Sequence, residues 1–168
     1  MIFVGIVGAE AAKFTYRGES LARQIIRGIL RDALDHDEGV TMVSGGCHLG
    51  GIDIWSEQES DILTEMGLHV EKRIHLPREL RWSTGFEPRN RLIVRDSAVV
   101  HNITVGRYPN SFVGKHFSSC YHCDRRFRET GHANLIHVKS GGCWTAYEAE
   151  KLGKIAQWYV VPNEEEGQ

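Results

Sequence analysis

The 168-residue chain lacks any apolar run near the roughly 18 residues that a membrane-spanning helix needs. It also lacks an excess of either charge: 20 basic and 22 acidic residues leave a formal net charge of −2. Proteins that coat nucleic acid are usually clearly basic, so this balance argues against that as the main role. The sequence opens on the strand-like Ile2-Phe3-Val4-Gly5-Ile6-Val7, with no basic leader or cleavage site before it. The expectation is a cytoplasmic protein with no membrane partner. Only four cysteines are present, and in a reducing compartment they read as metal ligands or free thiols rather than disulfides.

Strand-like and helix-like stretches alternate. Residues 2–7 are short, β-branched and bounded by Gly8, as a buried strand is. Residues 20–35 space Leu21, Ile25, Ile26, Ile29, Leu30 and Ala33 as a helix does, with Ser20 a candidate N-cap. Val40 to Val43 is a second strand, and Ile52 to Met66 patterns as a second helix. Leu68 to Leu76 gives a third strand, Pro88 opens a helix at its first turn, and Ala98 to Ile103 gives a fourth strand. Leu135 to Val138 and Ile155 to Val161 are two more strand candidates around a helix that stops at Gly153. This order predicts an α/β fold: a Rossmann-like α/β/α sandwich of three layers on a mostly parallel sheet, in one domain over residues 1–162. Residues 163–168, with Glu164, Glu165 and Glu166, read as a disordered acidic tail.

Ligands of such sheets sit beyond the strand C-termini, where the glycine loops fall. Gly8 ends the first strand. Ser44-Gly45-Gly46-Cys47 and Ser140-Gly141-Gly142-Cys143 repeat one tetrapeptide, each placed between a strand and a helix. They are either two tight turns or two backbone loops converging on a phosphate, which a helix N-terminus favours. No Gly-Lys-Ser/Thr and no G-x-G-x-x-G accompanies them, so neither a Walker loop nor a dinucleotide fingerprint is present. Arg89 and Arg91 are candidate phosphate clamps or a solvated helix face. Asp53 suits a ribose hydroxyl or a helix start, and Trp82, set among Arg78, Arg81 and Thr84, suits base stacking.

Residues 106–138 interrupt the alternation with a polar segment carrying Cys120, Cys123, His132 and His137 in a C-x2-C-x8-H-x4-H spacing. Two thiolates and two imidazoles make a closed tetrahedral set, so structural Zn²⁺ is expected in this insertion. His137 lies at a strand candidate, and His116, His122 and Cys143 are alternatives to it. A redox role for Cys120 and Cys123 is weaker, because this C-x-x-C does not read as opening a helix after a strand.

These stretches resemble the SLOG superfamily of Rossmann-like nucleotide-binding proteins, which includes DprA recombination mediators and LOG phosphoribohydrolases. The resemblance rests on Gly5-Ile6-Val7-Gly8, Val43-Ser44-Gly45-Gly46 with Gly50-Gly51-Ile52-Asp53, Phe86 to Ile93, and Ser140 to Ala146. It implies a nucleotide or nucleotide-derived ligand, held by Gly8, Ser44, Gly45, Gly46, Asp53, Trp82, Arg89, Arg91, Ser140, Gly141, Gly142, Trp144 and Thr145. It also implies self-association. Gly141-Gly142-Cys143-Trp144-Thr145-Ala146-Tyr147-Glu148 is similar to the LOG loop, with Trp144 in place of its third glycine. By that likeness Glu148 and Arg89 would act on the N-glycosidic bond of a nucleoside 5′-monophosphate, through an oxocarbenium-like state. Pairing with Lys151 or Lys154 is the alternative for Glu148. DprA-like binding of single-stranded nucleic acid is a further reading, supported by Arg125, Arg126 and Arg128 beside Phe127.

Overall fold

The computed structural model describes residues 1–133 and 135–165. Its elements, in chain order, are β1 (Ile2–Gly8), α1 (Tyr16–His36), β2 (Val40–Ser44), α2 (Ile52–Glu65), β3 (Val70–Ile74), α3 (Glu87–Asp96), β4 (Val99–Val105), α4 (Tyr121–Thr130), α5 (Gly141–Lys151) and β5 (Ile155–Val161). The five strands form one sheet in the order β3-β2-β1-β4-β5, and every pairing is parallel. The chain steps outward from β1 in one direction, then returns and steps outward in the other. The switch point therefore lies between β1 and β4, at the end where Gly8 pairs with Ile103.

Side-chain alternation on the strands explains the layers. Val4, Ile6, Val40, Met42, Ile103 and Val105 point to the face covered by α1 and α2, where Ile26, Leu30, Ile52 and Leu63 close a buried core. Val7, Val43 and Val100 point to the other face and pack on Ile93 and Val94 of α3 and on Ala146 and Ala149 of α5. With both faces covered, β1 is apolar on both sides and reads as an unbroken run, while central β4 also buries His101, Asn102 and Thr104.

Several local expectations change. Thr15, not Ser20, caps α1: its Oγ1 accepts from the Gly18 N–H at 3.0 Å. Pro88 does sit in the first turn of α3, but a π-helical turn, Trp82–Phe86, precedes it. Residues 135–138 form no strand. Leu135 and Ile136 are exposed, and Val138 alone docks, donating its N–H to the Val105 carbonyl at 3.0 Å. The polar insertion contains a helix, α4, with Cys120 as its N-cap. The C-x-x-C pair therefore does open a helix, though after a loop. Asn163 is fully buried and belongs to the fold, and Glu164 pairs with Arg17. Residues 166–168, including Glu166 of the acidic tail, lie outside the described residues.

Candidate functional site

A cleft of about 220 Å³ opens at the switch point, beyond the C-terminal ends of β1 and β4. Its floor is a contact between backbones. A Cβ on Gly142 would meet Gly8 N and Cα at 2.8 Å and Asn102 Oδ1 at 2.3 Å. Only glycine lets the first turn of α5 settle directly on the end of β1. The result sets Gly141 and Gly142, at the positive end of the α5 dipole, in the lining of the cleft.

Arg89 and Asp53 form one wall. Both are buried, and an Arg89 guanidinium nitrogen donates to Asp53 Oδ2 at 3.2 Å. Asp53 Oδ2 also accepts from the Cys47 N–H at 3.2 Å, which ties the 44–47 turn to α2. Gly45 makes room for this: a Cβ there would lie 1.3 Å from the Arg89 guanidinium. Burial pushes the Asp53 carboxyl up, and the Arg89 charge opposes that shift. Arg89 Nε is buried and has no hydrogen-bond partner among the described residues. The opposite wall carries Lys13, whose Nζ donates to the Lys139 carbonyl at 2.9 Å and lies 3.9 Å from Glu10. Burial pushes the Lys13 ammonium down, with Glu10 opposing. Lys13, Arg89 and Lys139 against Glu10 and Asp53 leave the lining with an excess of positive charge.

Of the sequence-predicted ligand residues, Gly8, Asp53, Trp82, Arg89, Gly141, Gly142 and Thr145 line this cleft. Ser44, Gly45, Gly46, Arg91, Ser140 and Trp144 do not. Ser44 and Ser140 are fully buried behind it. Trp144 packs edge-on against Trp82 at 5.1 Å, with Arg91 over its ring at 5.4 Å, so it backs Trp82 rather than lining the cleft. Glu148 is also outside the lining. Its carboxylate is engaged by Lys151, by Arg91 at 3.5 Å and by Arg125 at 3.7 Å. Sequence reasoning missed Glu10, Lys13, Asn90 and Lys139. Glu10 and Lys13 follow Gly8 closely, and Lys139 adjoins Ser140, so proximity to strand ends was the available signal.

Behind the α5 end of the cleft, Cys120, Cys123, His137 and Cys143 are all buried, with their ligand atoms within 4.8 Å of one another. His132 is not part of this cluster: it is exposed, with Nδ1 3.0 Å from an Arg126 guanidinium nitrogen. Cys143 takes its place, so one ligand lies outside the insertion. His137 Nε2 is 3.3 Å from Cys123 Sγ and 3.9 Å from Cys143 Sγ. Bonds of about 2.3 Å to sulfur and about 2.0 Å to nitrogen place tetrahedral ligands roughly 3.5–3.8 Å apart, so the cluster has the right size. His137 Nδ1 donates to the Val138 carbonyl at 2.7 Å, which leaves the Nε2 lone pair facing the sulfurs. Asn102 Nδ2 donates to Cys143 Sγ at 3.1 Å, as outer partners of thiolate ligands do. The thiols cannot all ionise by themselves. Hydrogen bonds from Cys123 and Cys143 hold Cys120 low, the bond to Cys120 pushes Cys123 up to about 12, and burial pushes Cys143 up. A cation among them would remove that conflict. The donor set is compatible with a metal ion.

The inserted arginines are largely committed. Arg126 makes two 2.7 Å bonds to the Glu150 carboxylate and lies over the Trp158 ring at 4.4 Å. Arg125 pairs with Glu129 and Glu148. No helix among the described residues is long and apolar enough to cross a membrane. No protein-family model matches the chain, and a search of curated proteins finds no match.

Proposed function

We propose that this protein binds a nucleotide or nucleotide-derived ligand, phosphate first, in the cleft between Gly8, Gly141, Gly142 and Arg89. The observation that carries the reading is the Gly8–Gly142 backbone contact at the switch point, which sets the α5 N-terminus in the lining of the cleft that Arg89, with its buried and unpartnered Nε, also lines. A phosphate accepts hydrogen bonds from both, and its charge relieves the unfavourable burial of Lys13. Trp82, exposed at the cleft rim, supplies a face for the base. The reading agrees with the SLOG resemblance and makes the protein a sensor, carrier or scavenger, because Glu148 is held by three cations away from the cleft.

We assign zinc to Cys120, Cys123, His137 and Cys143 as a closed structural site, since thiolates with one imidazole in a tetrahedral array suit that ion. Purified protein is expected to hold about one equivalent of zinc. Less than about half an equivalent in protein purified without chelator would reject the assignment.

A panel of nucleoside monophosphates tested against wild type, Arg89→Ala and Glu148→Gln separates the functions. The expected result is saturable binding with the ligand recovered unchanged, weakened at least tenfold by Arg89→Ala and unaffected by Glu148→Gln. Base release by the wild type and not by Glu148→Gln would establish a phosphoribohydrolase instead. Salt-sensitive binding of single strands with no mononucleotide binding would overturn both.

A further inference from the structure

The cysteine–histidine cluster and the cleft share one short piece of chain. His137 and Cys143 meet in the cluster, their ligand atoms 3.9 Å apart. Between them run residues 138–142, and Lys139, Gly141 and Gly142 of that loop line the cleft. Outside the cluster it is held by the Val138 N–H on the Val105 carbonyl, by the Lys139 carbonyl accepting from Lys13, by the Cys143 N–H on the Ser140 carbonyl and by Gly142 packed on Gly8. Its bond to the sheet is at Val138, and α5 begins at Gly141. The same four side chains join this loop to α4 through Cys120 and Cys123, and to β4 through the Asn102–Cys143 bond.

We infer that the metal ion is a clip on the ligand loop: it closes both ends of residues 138–142 and sets the cleft wall, so that ligand affinity is linked to metal occupancy. The Rossmann-like core does not depend on it. The α1–α2 face packs on β1, β2 and β4, contains none of the four ligands, and takes from the loop only Val138. Losing the ion therefore releases the loop and the start of α5 while leaving the sheet folded. Linkage is reciprocal, so a ligand that binds the clipped loop must raise metal affinity by the factor by which metal raises ligand affinity. The inference about affinity rests on the nucleotide reading; the inference about the loop does not.

The test is hydrogen exchange of the full chain, zinc-loaded and after chelation, with adenosine monophosphate titrated into each form. Chelation is expected to deprotect residues 138–145 while β1, β2 and α2 keep their protection. It is expected to weaken binding about tenfold or more, with zinc restoring both. Cys143→Ser, which keeps a small polar side chain, should reproduce the loosening, and His132→Ala should not. Unchanged protection of 138–145 after verified metal loss would overturn the clip, and so would a loosened loop that binds nucleotide as tightly as before. Global unfolding on chelation, or of Cys143→Ser, would contradict the independent core. A loosened loop in a protein whose zinc form binds no nucleotide would support the clip and reject the nucleotide reading alone.

Discussion

Gly141 and Gly142 are neighbours in a repeated tetrapeptide, yet the structure treats them differently. A Cβ at Gly141 meets nothing within 4 Å, whereas one at Gly142 collides with Gly8 and Asn102. Gly141→Ala should leave stability within about 0.5 kcal/mol of wild type. Gly142→Ala should cost about 1–3 kcal/mol in urea unfolding, because backbone must move. Equal effects would contradict the packing described for the cleft floor. His101 provides a pH signature at the same scale. It is buried on β4 beside the Tyr159 hydroxyl at 3.0 Å, and burial pushes its imidazole down to about 4, with Asp32 opposing. The unfolded chain therefore takes up this proton below about pH 6.5 while the folded one does not. Stability rises with pH across that window and falls on acidification. Between pH 7 and pH 5 the loss assigned to this residue is about 2 kcal/mol, and His101→Gln should remove that share of the acid sensitivity. The same acid loss in the variant would contradict the assignment.

At the scale of elements, the start of α1 depends on a residue far away in sequence. Asn163 accepts the Thr15 N–H at 2.7 Å and donates to the Lys13 and Arg107 carbonyls at 3.0 and 2.8 Å. Asn163→Ala should lower unfolding free energy by about 2–3 kcal/mol, since it orphans buried backbone groups. A loss under about 0.5 kcal/mol would show the contact to be incidental. Residue 163 reads as part of a tail because glutamates follow it, and its left-handed backbone, φ 54°, leaves no trace in composition. The strands were legible for the opposite reason. Burial on two faces favours apolar runs, and β1 announces itself by a continuous one, whereas edge strand β5 is legible by its β-branched and aromatic residues despite its exposure. Leu135 to Val138 mimics that signal at a single docked residue, with His137 turned to the sulfurs instead of a sheet.

At the scale of the molecule, two sites share one sheet edge. Sequence spacing found three of the four cluster ligands because they lie close together in the chain. His132 fits the spacing but is outside the cluster, and Cys143, an alternative to His137 by sequence, joins His137 in the cluster from a glycine loop. The repeated tetrapeptides part ways here: Cys47 lies at the cleft and Cys143 in the cluster. What local sequence cannot supply is the parallel stacking that brings α4, the 138–142 loop and β4 together. The same stacking places Gly8 under Gly142, although 133 intervening residues, 9–141, separate them. The measurement that bears most directly on the central claim is a map of backbone amide shifts on adding a nucleoside monophosphate to the zinc-loaded protein. The account expects saturable shifts at Gly8, Gly141, Gly142 and Thr145, together with the Arg89 side chain. No shifts, or shifts confined to the far groove lined by His101, Gln157 and Tyr159, would contradict it.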